Sequence, residues 1–383
     1  MNNGANGPLA GTLVLEMAGL GPAPFAALML AELGATVVCI ARKGAGRPFL
    51  GVPEDFDLDR FGRQTLAVDL KNPTGVDLVL KMAARADVLI EGFRPGVMER
   101  LGLGPETVQA VNPALVYGRM TGFGQHGPLS QRAGHDLTYL ALTGALDAIG
   151  EKGRKPVPPL NLVADYGGGA MFLVTGVLAA LLERSRSGKG QVIDAAMTDG
   201  ASRLAAPYFS FRASGIWSGG RGENLLDSGT PFYDCYEAAD GGHVAVACLE
   251  PQFFAIFASL LPLPAHFAAR QYDPSIWPDM RATIAARIAE KTRDEWADLF
   301  FDTDGCVAPV LSFSEAPGHS HNAARQTHIT EGWFVRPAPA PRFSRSTMTP
   351  AVNQAATVRE TLAMFGLDNA AADALNAAGV LGQ

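Results

Sequence analysis

The sequence predicts an α/β protein: a large Rossmann-like domain on a mostly parallel sheet, joined to a smaller α+β domain. Three observations predict it. A strand, a glycine turn, a helix and a second strand follow one another within about thirty residues, as a βαβ unit does. Strands and helices then keep alternating as far as residue 195. Beyond residue 206 the pattern gives way to a Ser- and Gly-rich stretch, then to a hairpin and helices.

Residues 12–17, TLVLEM, read as a buried strand, and Gly19-Leu20-Gly21-Pro22 as the turn after it. Residues 23–33 form a helix closed by Gly34, and residues 36–40, TVVCI, a second strand. A helix at 76–86 leads to a strand at 87–90. Short helices at 95–101 and 105–111 precede a strand at 115–120. Residues 135–148 and 168–186 read as helices, the second being the most apolar segment, and residues 190–195 as a strand. Residues 206–230 read as a linker. Strands at 232–236 and 243–248 pair across Glu-Ala-Ala-Asp-Gly-Gly, followed by helices at 251–261, 278–291 and 293–300. Proline density makes residues 335–342 extended, and residues 357–365 form the last helix.

The chain has 383 residues, so two domains are the default at roughly 150 residues each. Charged residues make up 18%, below the usual ~25%, which suits a surface partly buried between subunits. A net charge of −7 gives no global pull toward nucleic acid or an anionic membrane. The four cysteines form no CxxC pair, which excludes a zinc ribbon and predicts reduced thiols in a cytoplasmic protein. The polar residues 1–8 read as a loose terminus, not a signal peptide. The longest apolar stretch, residues 167–182, is shorter than the ~20 residues of a membrane span.

Gly19 and Gly21 invite a dinucleotide reading, but Pro24 holds the third glycine position. Arg42, not an acid, follows the second strand, which suits a phosphate and not a ribose diol. Arg42, Lys71, Arg94 and Arg100 follow successive strands or lie in loops. Strand C-termini of a parallel sheet share one edge, so these cations would collect there and clamp phosphates. Taken singly, each is an ordinary surface charge. Among seven histidines, His126 reads as a loop residue. His135 stands at a loop-to-helix boundary, with Asp136 in the first turn. Asp165 precedes Tyr166 and three glycines; it reads either as an N-cap or as a site residue beside which a ligand approaches the backbone. Glu250, before Pro251, reads as a helix-start charge or a site residue.

Several long motifs in order resemble the class III CoA-transferase family: residues 11–42, Val68-Asp69-Leu70-Lys71, Glu91-Gly92-Phe93-Arg94-Pro95-Gly96, residues 119–124 and Gly188-Lys189-Gly190-Gln191. Within it, Gly134-His135-Asp136 and the runs 158–169 and 246–252 resemble the branch that epimerises 2-methylacyl-CoA thioesters, and residues 339–344 match late in the chain. The resemblance implies a large CoA-binding domain at 1–205, a small domain at 231–325, and a return to the large one at 326–383. It implies a homodimer interlocked like chain links, each site shared between the large domain of one subunit and the small domain of the other. It implies no metal and no redox cofactor, CoA being part of the substrate. By the same resemblance Arg42, Lys71, Arg94 and Arg100 would hold the nucleotide and phosphates of CoA, and Val68, Gly92 and Phe93 would line that site. Gly134 would stand at the loop beside it, and Tyr139 on the pantetheine side. His135 and Asp165 would be the two acid/base residues, Glu250 the partner of the imidazole, and the N–H of Asp136 the donor to the thioester oxygen. Ala41 is a small departure beside Arg42.

Inverting an α-carbon requires one base on each face, so a His and a carboxyl make a workable pair. The alternative within the fold is a CoA-transferase in which Asp165 attacks the thioester and forms an acyl anhydride. A CoA-binding regulatory module and a nicotinamide-dependent oxidoreductase are the readings from other classes.

Overall fold

The structure is a computed structural model that describes residues 6–44, 51–353 and 356–382. Six strands form the main sheet: β1 (Leu13–Met17), β2 (Thr36–Arg42), β3 (Arg63–Val68), β4 (Val88–Glu91), β5 (Val116–Thr121) and β6 (Val192–Ala196). Their order is β3-β2-β1-β4-β5-β6, and every neighbouring pair is parallel. Continuous apolar runs such as VVCI and VLI suit strands covered on both faces. The chain steps outward from β1 through β2 to β3, then returns to pair β4 on the other side of β1. That reversal opens a crevice at the C-terminal ends of β1 and β4, where ligands bind in such sheets.

Helices α1 (Pro22–Glu32), α2 (Pro73–Ala83), α3 (Val97–Arg100), α4 (Pro105–Val111) and α5 (Asp136–Leu140) connect the strands. Leu15, Met17, Val38, Leu66, Leu78, Met82, Leu89 and Tyr117 share one core with Leu362, Phe365 and Val380. The C-terminal segment therefore packs onto this sheet, and Asp69 donates its N–H to Val380.

Contacts divide the chain into two compact units: residues 1–143, 159–204 and 327–383, and residues 144–158 and 205–326. The second holds an antiparallel sheet of β7 (Tyr233–Glu237), β8 (His243–Ala247) and β9 (Val307–Pro309). Its core is built on Phe232, Phe254, Phe257, Met280, Ile284 and Trp296. Arg221 secures residues 144–158 within this unit: Nε donates to the Asp147 carbonyl at 2.6 Å and Nη2 meets Asp147 Oδ1 at 2.8 Å.

Several elements differ from the sequence reading. The helix expected at 135–148 breaks after Leu140, and Gly144 at φ +82° precedes a separate α6 (Ala145–Ala148). The apolar helix begins earlier, as a π-helical segment, Leu162–Ala170, that runs into α7 (Met171–Ser187). The continuous run is 26 residues, long and apolar enough by composition to cross a membrane, so the length argument from residues 167–182 does not hold. In this fold α7 buries Leu173, Val174, Val177 and Ala180 and packs on β5 and β6. The stretch read as a linker opens with α9 (Ala206–Ala213), after α8 (Met197–Leu204), and clusters with the second unit. Strand β3 was not anticipated, because it opens on Arg63 and Gln64. Both are buried: Arg63 meets Glu16, and Gln64 Oε1 accepts from Thr361 Oγ1 at 3.0 Å.

Candidate active site

Of the residues expected at the site, His135, Asp136, Tyr139, Asp165 and Arg94 are near neighbours. Gly21, at φ +73°, turns the chain from β1 into α1. A β-carbon on Gly21 would stand 3.8 Å from Asp165 Oδ2, so the first glycine turn lies beside that carboxylate. Asp165 is half-buried and accepts from Asn161 Nδ2 at 3.3 Å. It sits inside the π-helical turn, not at an N-cap.

Of the three glycines after it, Gly168 has a packing role. A β-carbon on Gly168 would lie 2.5 Å from the Ala201 nitrogen, and one on Gly200 1.8 Å from the Gly168 carbonyl oxygen. The turn carrying Asp165 thus packs backbone to backbone on α8, which only glycine permits there.

His135 is the N-cap of α5 and is exposed. Its backbone is held by Thr138, whose Oγ1 accepts the His135 N–H at 3.0 Å and donates to the His135 carbonyl at 2.8 Å. The N–H of Asp136 has no acceptor among the described residues, as expected at a helix start. The Asp136 carboxylate turns inward: Oδ1 accepts the N–H groups of Ala164 at 2.9 Å and Asp165 at 2.7 Å.

Tyr139 is the wedge of the site. Its hydroxyl donates to the Gly134 carbonyl, and its ring lies edge-on to Phe123 with centroids 4.9 Å apart. Burial, reinforced by the charge of Asp165 and opposed by that of Arg94, pushes its phenol up. Burial also raises the Asp165 carboxyl; the Asn161 hydrogen bond opposes this, the charge of Asp136 adds to it, and His135 opposes it. His135, Asp136, Tyr139, Asp165 and Arg94 are therefore electrostatic neighbours.

Val68 is buried at the end of β3; Arg42, Lys71, Arg94 and Arg100 are exposed and make no ion pair among the described residues. Gly92, Phe93 and Arg94 form the turn after β4. A network that sequence reasoning missed holds this turn. Buried Glu91 accepts the Phe93 N–H at 2.7 Å and Arg119 Nε at 2.9 Å, and Arg119 reaches on to Glu99 on α3 at 2.9 Å. Burial raises the Glu91 carboxyl despite these bonds. Glu91 and Arg119 are each the last or near-last residue of a strand, the position that could have flagged them. Asn161, four residues before Asp165 on the same helical run, was the other omission.

Glu250 belongs to the second unit, where it caps the helix Pro251–Leu260 beside Tyr272 and Cys306. Among the described residues no three His, Cys, Asp or Glu side chains group as a metal-ligand set.

The chain is 46% identical to the alpha-methylacyl-CoA racemase of Mus musculus, over 92% of this chain and 91% of that protein. It is 44% identical to the Homo sapiens racemase, over 90% and 88%. The Homo sapiens succinyl-CoA:glutarate CoA-transferase is 28% identical over 90% and 82%. The crystal structure of a CAIB/BAIF family protein from Brucella suis superposes with a TM-score of 0.74 at 27% identity, covering 91% of this chain and 97% of that one. The profile of CoA-transferase family III matches residues 9–354, and the chain belongs to that family.

Proposed function

We propose that the protein is a racemase of 2-methylacyl-CoA thioesters, inverting the α-carbon through an enolate. The observation that supports this reading is the nearness of His135 to Asp165, which lies beside the Gly21 turn, in a chain 46% identical to a racemase.

In the proposed reaction one carrier takes the α-proton. The C–H electron pair moves toward the carbonyl, and negative charge develops on the thioester oxygen. The N–H of Asp136, preset at a helix start, offers that oxygen a donor. The other carrier returns a proton to the opposite face. Asp165 holds its proton to higher pH than an ordinary carboxyl does, which suits an acid that must meet a histidine on equal terms. Arg42, Lys71, Arg94 and Arg100 bind the phosphates of CoA and supply binding energy remote from the reacting carbon. Tyr139 flanks the pantetheine arm. CoA is part of the substrate, and the chain's own groups carry the proton. A homodimer completes the site, with Glu250 of a second copy orienting the imidazole. Leu137, Leu142, Leu160 and Leu162, exposed around the two carriers, are the apolar surface such a partner would cover.

The transferase reading is the less supported alternative, since a nucleophilic Asp165 needs no second base and the transferase relative is the more distant one. The test is polarimetric. The acid recovered by hydrolysis from a single epimer of a 2-methylacyl-CoA should have lost its rotation, without an acceptor acid. Rotation retained, with CoA transfer to an added carboxylic acid and a hydroxylamine-trappable Asp165 anhydride, would establish the transferase instead.

A further inference from the structure

Asp136 is 5% exposed, yet only one of its carboxylate oxygens is satisfied. Oδ1 takes both backbone N–H groups, of Ala164 and Asp165. Oδ2 is buried with no hydrogen-bond partner among the described residues. A buried carboxylate oxygen without donors is costly, and native structures keep one where another role demands it. The residue also follows His135 directly, so one side chain reaches from the helix start of one proton carrier to the backbone of the other.

We propose that the Asp136 side chain is a positioning residue for the proton transfer, tying the turn that carries Asp165 to the helix that begins at His135 and so setting the separation of the two carriers. This rests on the racemase reading. It differs from the role of the Asp136 N–H, which faces the substrate.

The unbalanced charge has a second consequence. A racemase keeps one proton between its two carriers. The charge of Asp136 adds to the burial that raises the Asp165 carboxyl, and so favours keeping that proton there. The other elements packed on the turn carry Glu32, Arg119, Glu183, Arg184, Arg186, Asp194, Asp199 and Arg203, and Tyr139 faces Asp165 from α5. The charges acting on Asp165 are those of Asp136 and His135.

Three readouts test this. Carboxyl-carbon NMR of selectively labelled protein should show Asp165 titrating at lower pH in Asp136→Asn than in wild type; an unmoved Asp165 overturns the proposal. Asp136→Asn keeps an oxygen for both N–H groups and removes the charge. Its acid limb of kcat/KM should move to lower pH, equally in both directions because the equilibrium ties them, with KM little changed. Asp136→Ala removes the acceptor, and kcat should fall roughly 10- to 100-fold through misplacement of Asp165. An unmoved acid limb in Asp136→Asn, or an unchanged kcat in Asp136→Ala, overturns the proposal. Should Asp136→Ala fail to fold, Asp136→Asn decides. A wild-type protein that does not racemise defeats the reading underneath, and the movement of the Asp165 titration in Asp136→Asn still judges the placement of charge.

Discussion

Gly122 faces the ring of Tyr139 so closely that a β-carbon there would stand 2.0 Å from Cε1. Gly134 lies along the same ring, where a β-carbon would be 2.5 Å away. Two loops therefore close on one aromatic wedge, and the second leads into His135. Gly122→Ala should displace the ring, destabilise the fold by about 1–3 kcal/mol and lower kcat. Tyr139→Phe removes only the bond to Gly134 and should cost about 1 kcal/mol. Denaturant melts with initial rates check both; an unaltered Gly122→Ala variant would show the wedge to be slack.

Arg42, Lys71, Arg94 and Arg100 are exposed and free of ion pairs among the described residues, as a phosphate clamp requires. Arg42→Ala or Arg100→Ala should raise KM for an acyl-CoA roughly 10- to 100-fold, the worth of one charge-assisted contact, with kcat nearly constant. An acyl-pantetheine thioester, which lacks the nucleotide, should not distinguish these variants from wild type. Equal losses with both substrates would place the nucleotide elsewhere.

Beneath the crevice, Arg63 holds Glu16 through two bonds from Nη1, at 2.8 and 2.7 Å, and gives Nη2 to the Pro24 carbonyl at 2.7 Å. The side chains are 2% and 1% exposed. Arg63→Met alone strands a buried carboxylate and should cost about 3–5 kcal/mol. Adding Glu16→Leu should recover much of that loss, because an apolar pair strands no charge. A double variant no more stable than the single one in urea melts would show that the pair fixes local geometry instead.

Asp165 links function to stability. Burial holds its carboxyl above the ordinary value of 3.8, so the folded state binds this proton more tightly than the unfolded chain does. The resulting stabilisation is complete below the ordinary value and disappears as pH rises through the raised one. Asp165→Asn carries no such proton and suffers no such loss. Its melting temperature should match wild type in acid, overtake it across that window and stay higher at neutral pH. An advantage confined to acid would reverse the sign and refute the assignment.

The parallel sheet was legible because β1, β2 and β4 carry apolar runs between turn residues. Strand β3 was not, since its first residues are polar and are buried only by partners distant in sequence, Glu16 and Thr361. The residues of the crevice were legible singly, as cations and acids after strands. Their grouping was not, because a π-helical turn and a glycine contact with α8 decide where Asp165 points. The same contact accounts for Gly168, the middle of the three glycines. Glu91 and Arg119 were hidden because a buried charge network leaves no periodic mark.

The central claim is that His135 and Asp165 exchange protons with one carbon, and deuterium uptake tests it most directly. Incubated in heavy water with a single enantiomer of a 2-methylacyl-CoA, the protein should place deuterium at the α-carbon while the enantiomer approaches an equal mixture. His135→Ala should slow this roughly 10²- to 10⁴-fold, as loss of a general acid/base does. Asp165→Asn should lose a comparable amount. No α-deuterium with any branched acyl-CoA, or undiminished exchange in His135→Ala, would contradict the account.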